Sequence, residues 1–196
     1  MVKLLNYVAS HPNPVIRYYA SGMILHGHSD CAYLIAANAR SRASGFLFLG
    51  NDSLDTPING PILVHAHLMR NVVASAGEGE TGAAFYNGQE IMPLRQTLIE
   101  LGHPQPATPL HTDNAFTAGF SAATIKQRRS KAIDMRFYWL KDRQAQGQLN
   151  IYWRPGATNL ADYPSKHHAP AHHRRMRTTY LHEPENPRPK LLPSFS

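Results

Sequence analysis

The chain is poor in cysteine, in acidic residues and in long apolar runs. Its 196 residues include a single cysteine, Cys31, so no disulfide can form within the chain, and a reducing compartment fits this composition. No apolar run approaches the roughly 20 residues that a membrane-spanning helix needs. The first residues also lack the apolar core and the small-residue cleavage site of a signal peptide. We therefore expect a protein that neither crosses a membrane nor is secreted.

The shortage of acids leaves the chain basic. There are 13 acidic residues against 20 lysines and arginines, which gives a formal net charge of +7. Such a charge favours nucleic acid, an anionic surface or an acidic partner. A soluble basic protein without such a partner fits the charge equally well, so charge alone does not choose between these classes.

Alternating and apolar segments predict a mixed sheet with helices on its faces. Three strand-like runs joined by turns come first, and helix-like and strand-like segments then alternate. The predicted strands cover residues 23–29, 43–49, 62–68, 108–112 and 149–153, and the predicted helices cover 2–9, 76–101, 114–123 and 130–146. We also expect an extended segment at 15–19, a kink or break of the long helix near Pro93, and a last helix capped by Thr158 or Asn159.

Four short segments place an acid at the end of a strand-like run or near the start of a helix-like run. They contain Asp30, the pair Glu78 and Glu80, Asp113, and Asp162. Strand ends are where the sites of α/β proteins assemble, so these acids could converge. Converging carboxylates repel one another unless a cation neutralises them, and Mg²⁺ suits oxygen ligands of this kind. Each acid taken alone fits a helix cap or a solvated surface charge better.

Five segments, taken in order, carry a family resemblance. They are residues 27–33 (GHSDCAY), 74–80 (ASAGEGE), 110–114 (LHTDN), 129–136 (RSKAIDMR) and 159–166 (NLADYPSK). Together they resemble the ribonuclease H domain at the end of the polyprotein of copia-type LTR retrotransposons, a reverse transcriptase/ribonuclease H. The resemblance covers nearly the whole chain, because residues 1–17 also resemble the segment that links the polymerase to the ribonuclease H domain.

The resemblance implies a fold and a division of the chain. The implied fold is α/β and ribonuclease H-like, with a five-stranded mixed sheet of three antiparallel strands and then parallel strands, flanked by helices. Residues 21–166 would form the ribonuclease H domain. Residues 1–20 would form the connection segment and the start of the first strand, and residues 167–196 a basic extension rich in histidine, arginine and proline.

The resemblance also implies an activity, which is metal-dependent hydrolysis of the RNA strand of RNA–DNA hybrids during reverse transcription. By position, the catalytic and metal-binding residues are Asp30, Glu80, Asp113 and Asp162. Glu80 is preferred over Glu78 because the family's metal ligand is the second acid of the pair. The implied cofactor is a pair of Mg²⁺ ions, for which Mn²⁺ could substitute.

The implied partners and location follow from the same resemblance. The partners are an RNA–DNA hybrid and the polymerase domain of the parent polyprotein, and no membrane. The implied location is intracellular and cytoplasmic, or within a virus-like particle, and the chain is not expected to be secreted.

Six residues are candidates for contacts with the nucleic acid. An amide could contact the RNA 2′-hydroxyl, and a basic cluster on or near one helix could bind phosphates. The set is Asn114, Arg128, Arg129, Lys131, Arg136 and Arg154. A solvated helix face with local ion pairs is the alternative for the basic cluster. Arg154 lies in the loop before Asp162, which lacks the histidine that cellular ribonucleases H often carry there.

Two other functions compete with the nuclease. The first is a catalytically weak or inactive nucleic-acid-binding domain of a retroelement polyprotein. The second is a zinc site built from the paired histidines at 167–168 and 172–173. Zinc is disfavoured because Cys31 stands alone and the histidine pairs lie in a proline-bearing tail.

Overall fold

The structure, a computed structural model, describes residues 2–121 and 131–182. A 3₁₀ turn at Gly156–Thr158 precedes the last two helices. The elements are α1 (Val2–Ser10), β1 (Ile24–Ala36), β2 (Arg40–Gly50), β3 (Pro61–Leu68), α2 (Ala76–Glu100), β4 (Thr108–Thr112), α3 (Ala115–Ser121), α4 (Lys131–Ala145), β5 (Leu149–Trp153), α5 (Asp162–Ser165) and α6 (Pro170–Tyr180). None of the helices in these described ranges is long and apolar enough to cross a membrane.

By their contacts, the described residues 2–18 group with residues 168–182, and the described residues between 19 and 167 form a second unit. The second unit holds the whole sheet and the helices α2 to α5. The domain boundaries expected after residues 20 and 166 stay a prediction.

In the first unit, α1 and α6 are joined by a few contacts. The segment expected to be extended at 15–19 forms no strand, although Val15 pairs with His182 in an isolated antiparallel bridge. The guanidinium of Arg177 in α6 lies 5.7 Å from the ring centre of Tyr7 in α1. α6 starts with Pro170, which a helix tolerates in its first turn, so part of the basic extension is helical.

β1 is the centre of the five-stranded sheet, whose order is β3-β2-β1-β4-β5. It pairs antiparallel with β2 and parallel with β4, where His28 lies opposite His111. β2 and β3 pair antiparallel, and β4 and β5 pair parallel. The predicted mixed sheet, with an antiparallel meander followed by parallel strands, is confirmed.

The apolar core of the second unit lies between the sheet and the helices α2 and α4. The fully buried members of one cluster include Leu25 of β1, Leu47 of β2, Ile91 of α2, Leu110 of β4 and Leu140 of α4. Burying a side chain of this size contributes about 1.5–3 kcal/mol. This packing fixes α2 against the centre of the sheet.

A buried amide ties α2 to three strands. Asn87 donates to the Ser44 carbonyl at 2.9 Å and to Ser29 Oγ at 3.1 Å. Its Oδ1 lies 3.0 Å from His65 Nε2. A Cβ at Gly45 would come within 1.8 Å of Asn87 Oδ1, so the missing side chain at Gly45 makes room for the amide.

β3 forms one edge of the sheet. Its residues alternate between half-buried and exposed positions. The exposed set includes the apolar residues Ile62, Val64 and Leu68, which are 40%, 47% and 44% exposed. This edge therefore presents apolar side chains beside a backbone that no strand in the described part of the chain covers.

α2 runs unbroken through Pro93, so the break predicted there does not occur. Proline has no amide N–H, and the carbonyl of Gln89 therefore loses its helical partner. Gln89 and Pro93 are both exposed, so water can satisfy that carbonyl. The lost hydrogen bond thus lies on the solvent side of the helix.

The last helix of the second unit does not begin where it was predicted. Thr158 and Asn159 do not cap it, because Gly156–Thr158 forms the 3₁₀ turn and α5 begins later. Asn159 instead donates to the Ser29 carbonyl at 2.8 Å, which fixes the segment to β1. Its Oδ1 accepts from the Ala161 N–H at 3.0 Å, so this oxygen bonds a residue that precedes the helix and does not cap it.

The face of the sheet opposite α2 carries a row of histidines. Residues of a strand alternate between its two faces, and His26 and His28 of β1 share this one. His111 of β4 lies beside them, with its Nδ1 3.4 Å from Nδ1 of His28. All three are buried, and with Tyr152 and Arg154 they line a cavity of about 240 Å³.

Burial favours the neutral form of these imidazoles. The Leu160 N–H donates to His28 Nδ1 at 3.0 Å, so the neutral ring carries its proton on Nε2. Burial, followed by the charges of His111 and His26, lowers the pKa of His28 to about 3. Burial also lowers the pKa of His26 and of His111.

The His28 ring should stay neutral at pH values where an unfolded chain would protonate it. Below about pH 6.5 the unfolded chain takes up protons that the folded chain does not. The contribution of this ring to the free energy of unfolding is therefore fully present above that pH and is lost as the pH falls towards 3. An NMR titration of the ring in metal-free protein should find it neutral at pH 5. A titration midpoint near 6.5 would contradict the buried, neutral assignment.

Candidate active site

Three of the four predicted carboxylates converge at one end of the sheet. Asp30 lies within β1, Asp113 directly follows β4, and Glu80 lies near the start of α2. One oxygen from each of these side chains lies within 4.8 Å of the others. Asp30 and Glu80 are only 3% and 8% exposed, and Asp113 is half-buried. The fold thus gathers acids from three separate elements into one partly enclosed cluster.

Two glycines let the start of α2 pack closely, one against β1 and the other against Met69, which directly follows β3. A Cβ at Gly79 would lie 2.7 Å from Cys31 Sγ, and one at Gly82 would lie 2.4 Å from Met69 Cε. Glycine is a poor helix former, but here its missing side chain permits the contact. The Cys31 N–H then donates to Glu80 Oε1 at 3.2 Å, which fixes one oxygen of that carboxylate.

Glu78 has a different place from Glu80. Its Oε2 accepts from the Ala74 N–H at 2.7 Å, and its own N–H donates to Ser75 Oγ at 3.2 Å. This arrangement caps α2, and a negative charge is favourable at a helix N-terminus. The cluster therefore contains Glu80 and not Glu78.

Burial and mutual repulsion disfavour the charged forms of the clustered acids. Burial, and then the charges of Asp30 and Asp113, raise the pKa of Glu80 to about 9. Burial also raises the pKa of Asp30, whereas the Ser165 hydroxyl and the charge of Lys166 lower it. Without a further cation, the cluster therefore favours binding a proton at Glu80.

The oxygens in the cluster suit a hard divalent cation. Asp30 Oδ2 and Glu80 Oε2 are buried, and neither has a hydrogen-bond partner within the described residues. Carboxylate oxygens are the ligands that Mg²⁺ prefers, and an unpaired buried carboxylate is costly. A cation bound by Asp30, Glu80 and Asp113 would remove that cost, so these residues fit a metal site.

The fourth predicted acid, Asp162, stands beside the cluster. It begins α5 and forms an ion pair with Lys166, four residues later. It is not among the acids whose oxygens lie within 4.8 Å of one another. Its charge nevertheless raises the pKa of Asp30, so it lies near enough to act on the cluster electrostatically.

The loop before Asp162 packs closely on Asp113. A Cβ at Gly156 would lie 2.5 Å from Asp113 Oδ2. The indole N–H of Trp153 donates to the Asp113 carbonyl at 3.0 Å. A side chain at position 156 would displace the carboxylate, so this loop needs glycine at that place.

Asn114 caps α3, because its Oδ1 accepts from the Thr117 N–H at 3.0 Å. This bond uses the oxygen of the amide and leaves its contact with RNA a prediction. Arg128 and Arg129 lie outside the described residues. Of Lys131 only the backbone, at the start of α4, is described.

The two remaining arginine candidates have partners within the protein. Arg136 donates to Asn71 Oδ1 at 2.8 Å and lies 5.6 Å from the ring centre of Tyr86. Arg154 forms an ion pair with Asp55 at 2.6 Å. Their role in phosphate binding also stays a prediction.

Two features of this region were missed from the sequence. Lys166 follows Asp162 by four positions, which is the spacing of a helical ion pair. His26 and His28 precede Asp30 by four and two positions, which on a strand places all three on one face. Both signals were present as spacings, but neither indicates a site without the fold.

The chain has a relative among retrotransposon polyproteins. No family model matches it. It is 26% identical over 163 residues to the retrovirus-related Pol polyprotein from transposon TNT 1-94 of Nicotiana tabacum. The match covers 83% of this chain and only 12% of that polyprotein, so the chain spans a small part of its relative. The resemblance to a retrotransposon polyprotein is confirmed.

Solved ribonuclease H structures share the fold. The N-terminal RNase H domain of a Mycobacterium tuberculosis protein, solved as a fusion with maltose binding protein, has a TM-score of 0.50 at 11% identity, covering 73% of this chain and 91% of its own. LC11-RNase H1 in complex with an RNA/DNA hybrid has a TM-score of 0.52 at 9% identity, covering 71% and 91%. A second structure of that protein, isolated from compost by a metagenomic approach, gives 0.53 at 9% identity, covering 72% and 92%. The chain therefore has the ribonuclease H fold.

Replacing Glu80 by glutamine should stabilise the metal-free protein. Because the pKa of Glu80 is raised to about 9, stability falls between about pH 4.5 and 9 as the unfolded chain releases a proton that the folded one keeps. Glutamine is neutral and can still accept from the Cys31 N–H. At pH 7 the free energy of unfolding should rise by about 1–3 kcal/mol in Glu80→Gln, measured by urea unfolding with a chelator.

The matched control for this change is Glu90→Gln, at an exposed position on the same helix. It should change the free energy of unfolding by less than about 0.5 kcal/mol. Saturating Mn²⁺ should stabilise the wild type more than Glu80→Gln. A Glu80→Gln variant that is less stable than the wild type without metal would contradict the electrostatic account.

Proposed function

We propose that this chain is a metal-dependent ribonuclease H that hydrolyses the RNA strand of RNA–DNA hybrids during reverse transcription of a retroelement. The observation that carries the proposal is the cluster of Asp30, Glu80 and Asp113, with two buried oxygens that have no described partner. The retrotransposon polyprotein among its relatives supports the retroelement setting. LC11-RNase H1, solved with an RNA/DNA hybrid on the same fold, supports the substrate class.

The proposed roles follow from where each acid lies. Asp30, Glu80 and Asp113 would hold the metal, with Asp162 at the margin of the site. Two Mg²⁺ ions, or Mn²⁺ in their place, would supply the charge that activates a water and stabilises the leaving oxygen of a phosphodiester. The Cys31 N–H keeps Glu80 Oε1 in place, so that its other oxygen is directed to the cluster.

The substrate and partners complete the proposal. The net charge of +7 favours a polyanion, and phosphate contacts supply most of the affinity in such complexes. We assign the phosphate contacts to Arg128, Arg129, Lys131, Arg136 and Arg154, and a contact with the RNA 2′-hydroxyl to Asn114. The polymerase domain of the same polyprotein would be the covalent neighbour, and the intracellular, cytoplasmic location expected from the sequence belongs to this proposal.

Two observations favour the alternative of a catalytically weak or inactive nucleic-acid-binding domain. Asp162 is paired with Lys166 and lies outside the cluster of three acids. The loop before it, residues 154–158, also contains no histidine. A cleavage assay separates the two functions because binding and hydrolysis are measured independently.

Replacing Asp113 by asparagine should slow cleavage strongly while leaving hybrid binding largely intact. Loss of a metal ligand should cost more than the roughly 10–100-fold typical of an outer-shell partner. The assay uses an RNA–DNA hybrid labelled separately on each strand, with Mg²⁺ or Mn²⁺. Wild type should cut the RNA strand only, and Asp113→Asn should be slower by at least about 100-fold.

Asp142→Asn is the matched control for that experiment. It makes the same chemical change at an exposed acid of α4, which pairs with Arg143, and it should cut like the wild type. If the wild type binds the hybrid but does not cut it, and Asp113→Asn changes nothing, the nuclease proposal is wrong and the binding function stands.

A further inference from the structure

Lys166 is a positively charged side chain beside the candidate site. It follows α5 directly, and its ammonium forms an ion pair with Asp162 at the first position of that helix. Of the four predicted acids, only Asp162 has an ion-pair partner within the described residues. The two side chains of the pair are 40% and 37% exposed, so solvent and ions can reach them.

The charge of Lys166 also acts on acids other than its ion-pair partner Asp162. It lowers the pKa of Asp30 and of Glu80, against the effect of their burial. Burial lowers the pKa of Lys166 itself, but the bond to Asp162 and the charges of the other acids outweigh it and raise that pKa. The ammonium therefore lies within electrostatic range of the whole cluster.

The ion pair also accounts for the separate position of Asp162. Three acids lie within 4.8 Å of one another, and the fourth is the one that pairs with a lysine. The carbonyl of Ala161, the residue before Asp162, accepts from Ser44 Oγ at 2.6 Å, and Ser44 lies opposite Asp30 in the pairing of β1 and β2, so Asp162 is close to the cluster. Separation of the ion pair is the local change that would free this carboxylate for a cation.

We propose that Lys166 is the internal counter-ion of the acid cluster in the metal-free protein and that it competes with the divalent ion for Asp162. This proposal rests on the metal site of the proposed function and deepens it. Lys166 is thereby a positioning residue, because it acts through Asp162. It neutralises part of the repulsion when no metal is bound, and it gives up that partner when a dication brings a larger charge to the same acids.

How strongly Lys166 competes with a dication depends on how exposed its ion pair with Asp162 is. A half-exposed ion pair is weak, so a dication can displace it, and its removal changes affinity only moderately. Lysine near a bound dication also repels it, and salt screens this effect at long range. Removing the charge at position 166 should therefore tighten metal binding, whereas removing a lysine elsewhere should not.

The test is titration calorimetry of the full chain with MnCl₂, without nucleic acid. Lys166→Gln should bind Mn²⁺ about two- to tenfold more tightly than the wild type. Lys166→Arg keeps the charge and should bind like the wild type. The matched control, Lys141→Gln, removes the same charge from α4 and should also bind like the wild type.

A second measurement separates this role from a merely structural one. Without metal, Lys166→Gln should melt at a lower temperature than the wild type, because the acids lose their counter-ion. Mn²⁺ should then raise its melting temperature by more than it raises that of the wild type. A structural role alone would lower both temperatures and leave the Mn²⁺ affinity unchanged.

The contrary outcomes are distinct. Equal or weaker Mn²⁺ binding by Lys166→Gln overturns the counter-ion proposal and leaves the metal site standing. No Mn²⁺ binding by the wild type overturns the metal site itself and, with it, this proposal. In an Asp162→Asn background the Lys166→Gln effect should shrink, and an effect of undiminished size would overturn the action through Asp162.

Discussion

The main physical constraint on this structure is the repulsion among carboxylates that the fold holds close together. Asp30, Glu80 and Asp113 come from a central strand, a helix and a strand end, and each of those elements is fixed by packing elsewhere. The acids cannot separate without disturbing that packing. They must instead be neutralised by protons, by a neighbouring lysine or by a metal, and the three possibilities are linked because each reduces the need for the others.

The apolar core and the buried amide supply the rigidity that this repulsion requires. Leucines from four strands and Ile91 of α2 belong to one core cluster, and Asn87 adds directional bonds to three strands. The close contact of Gly79 with Cys31 then brings the start of α2 to β1, where a side chain at position 79 would hold the helix away. The free energy gained by packing the core therefore offsets the repulsion among the acids at the end of the sheet.

Much of the fold was accessible to sequence reasoning, because alternation and apolar runs mark strands that are buried on one or both faces. The segment 108–112 was predicted with the bounds of β4, and the long helix within one residue of α2. The start of α5 was not predicted correctly. Asn159 bonds to the Ser29 carbonyl, which is 130 positions away in the sequence, so this contact leaves no local signal. The site divides in the same way. Motifs pointed to four acids, but only the fold shows that three converge while Asp162 pairs with Lys166.

The exposed edge of β3 affects how molecules of this protein associate with one another. Ile62, Val64 and Leu68 line an edge whose backbone groups have no strand beside them in the described part of the chain. Such an edge is a template on which another extended segment can add, and lysine or proline commonly protects it in soluble proteins. β3 has no lysine, and its one proline is its first residue. Concentrated solutions should therefore favour edge-to-edge association, and a single charged side chain in place of Val64 is the smallest change that would oppose it.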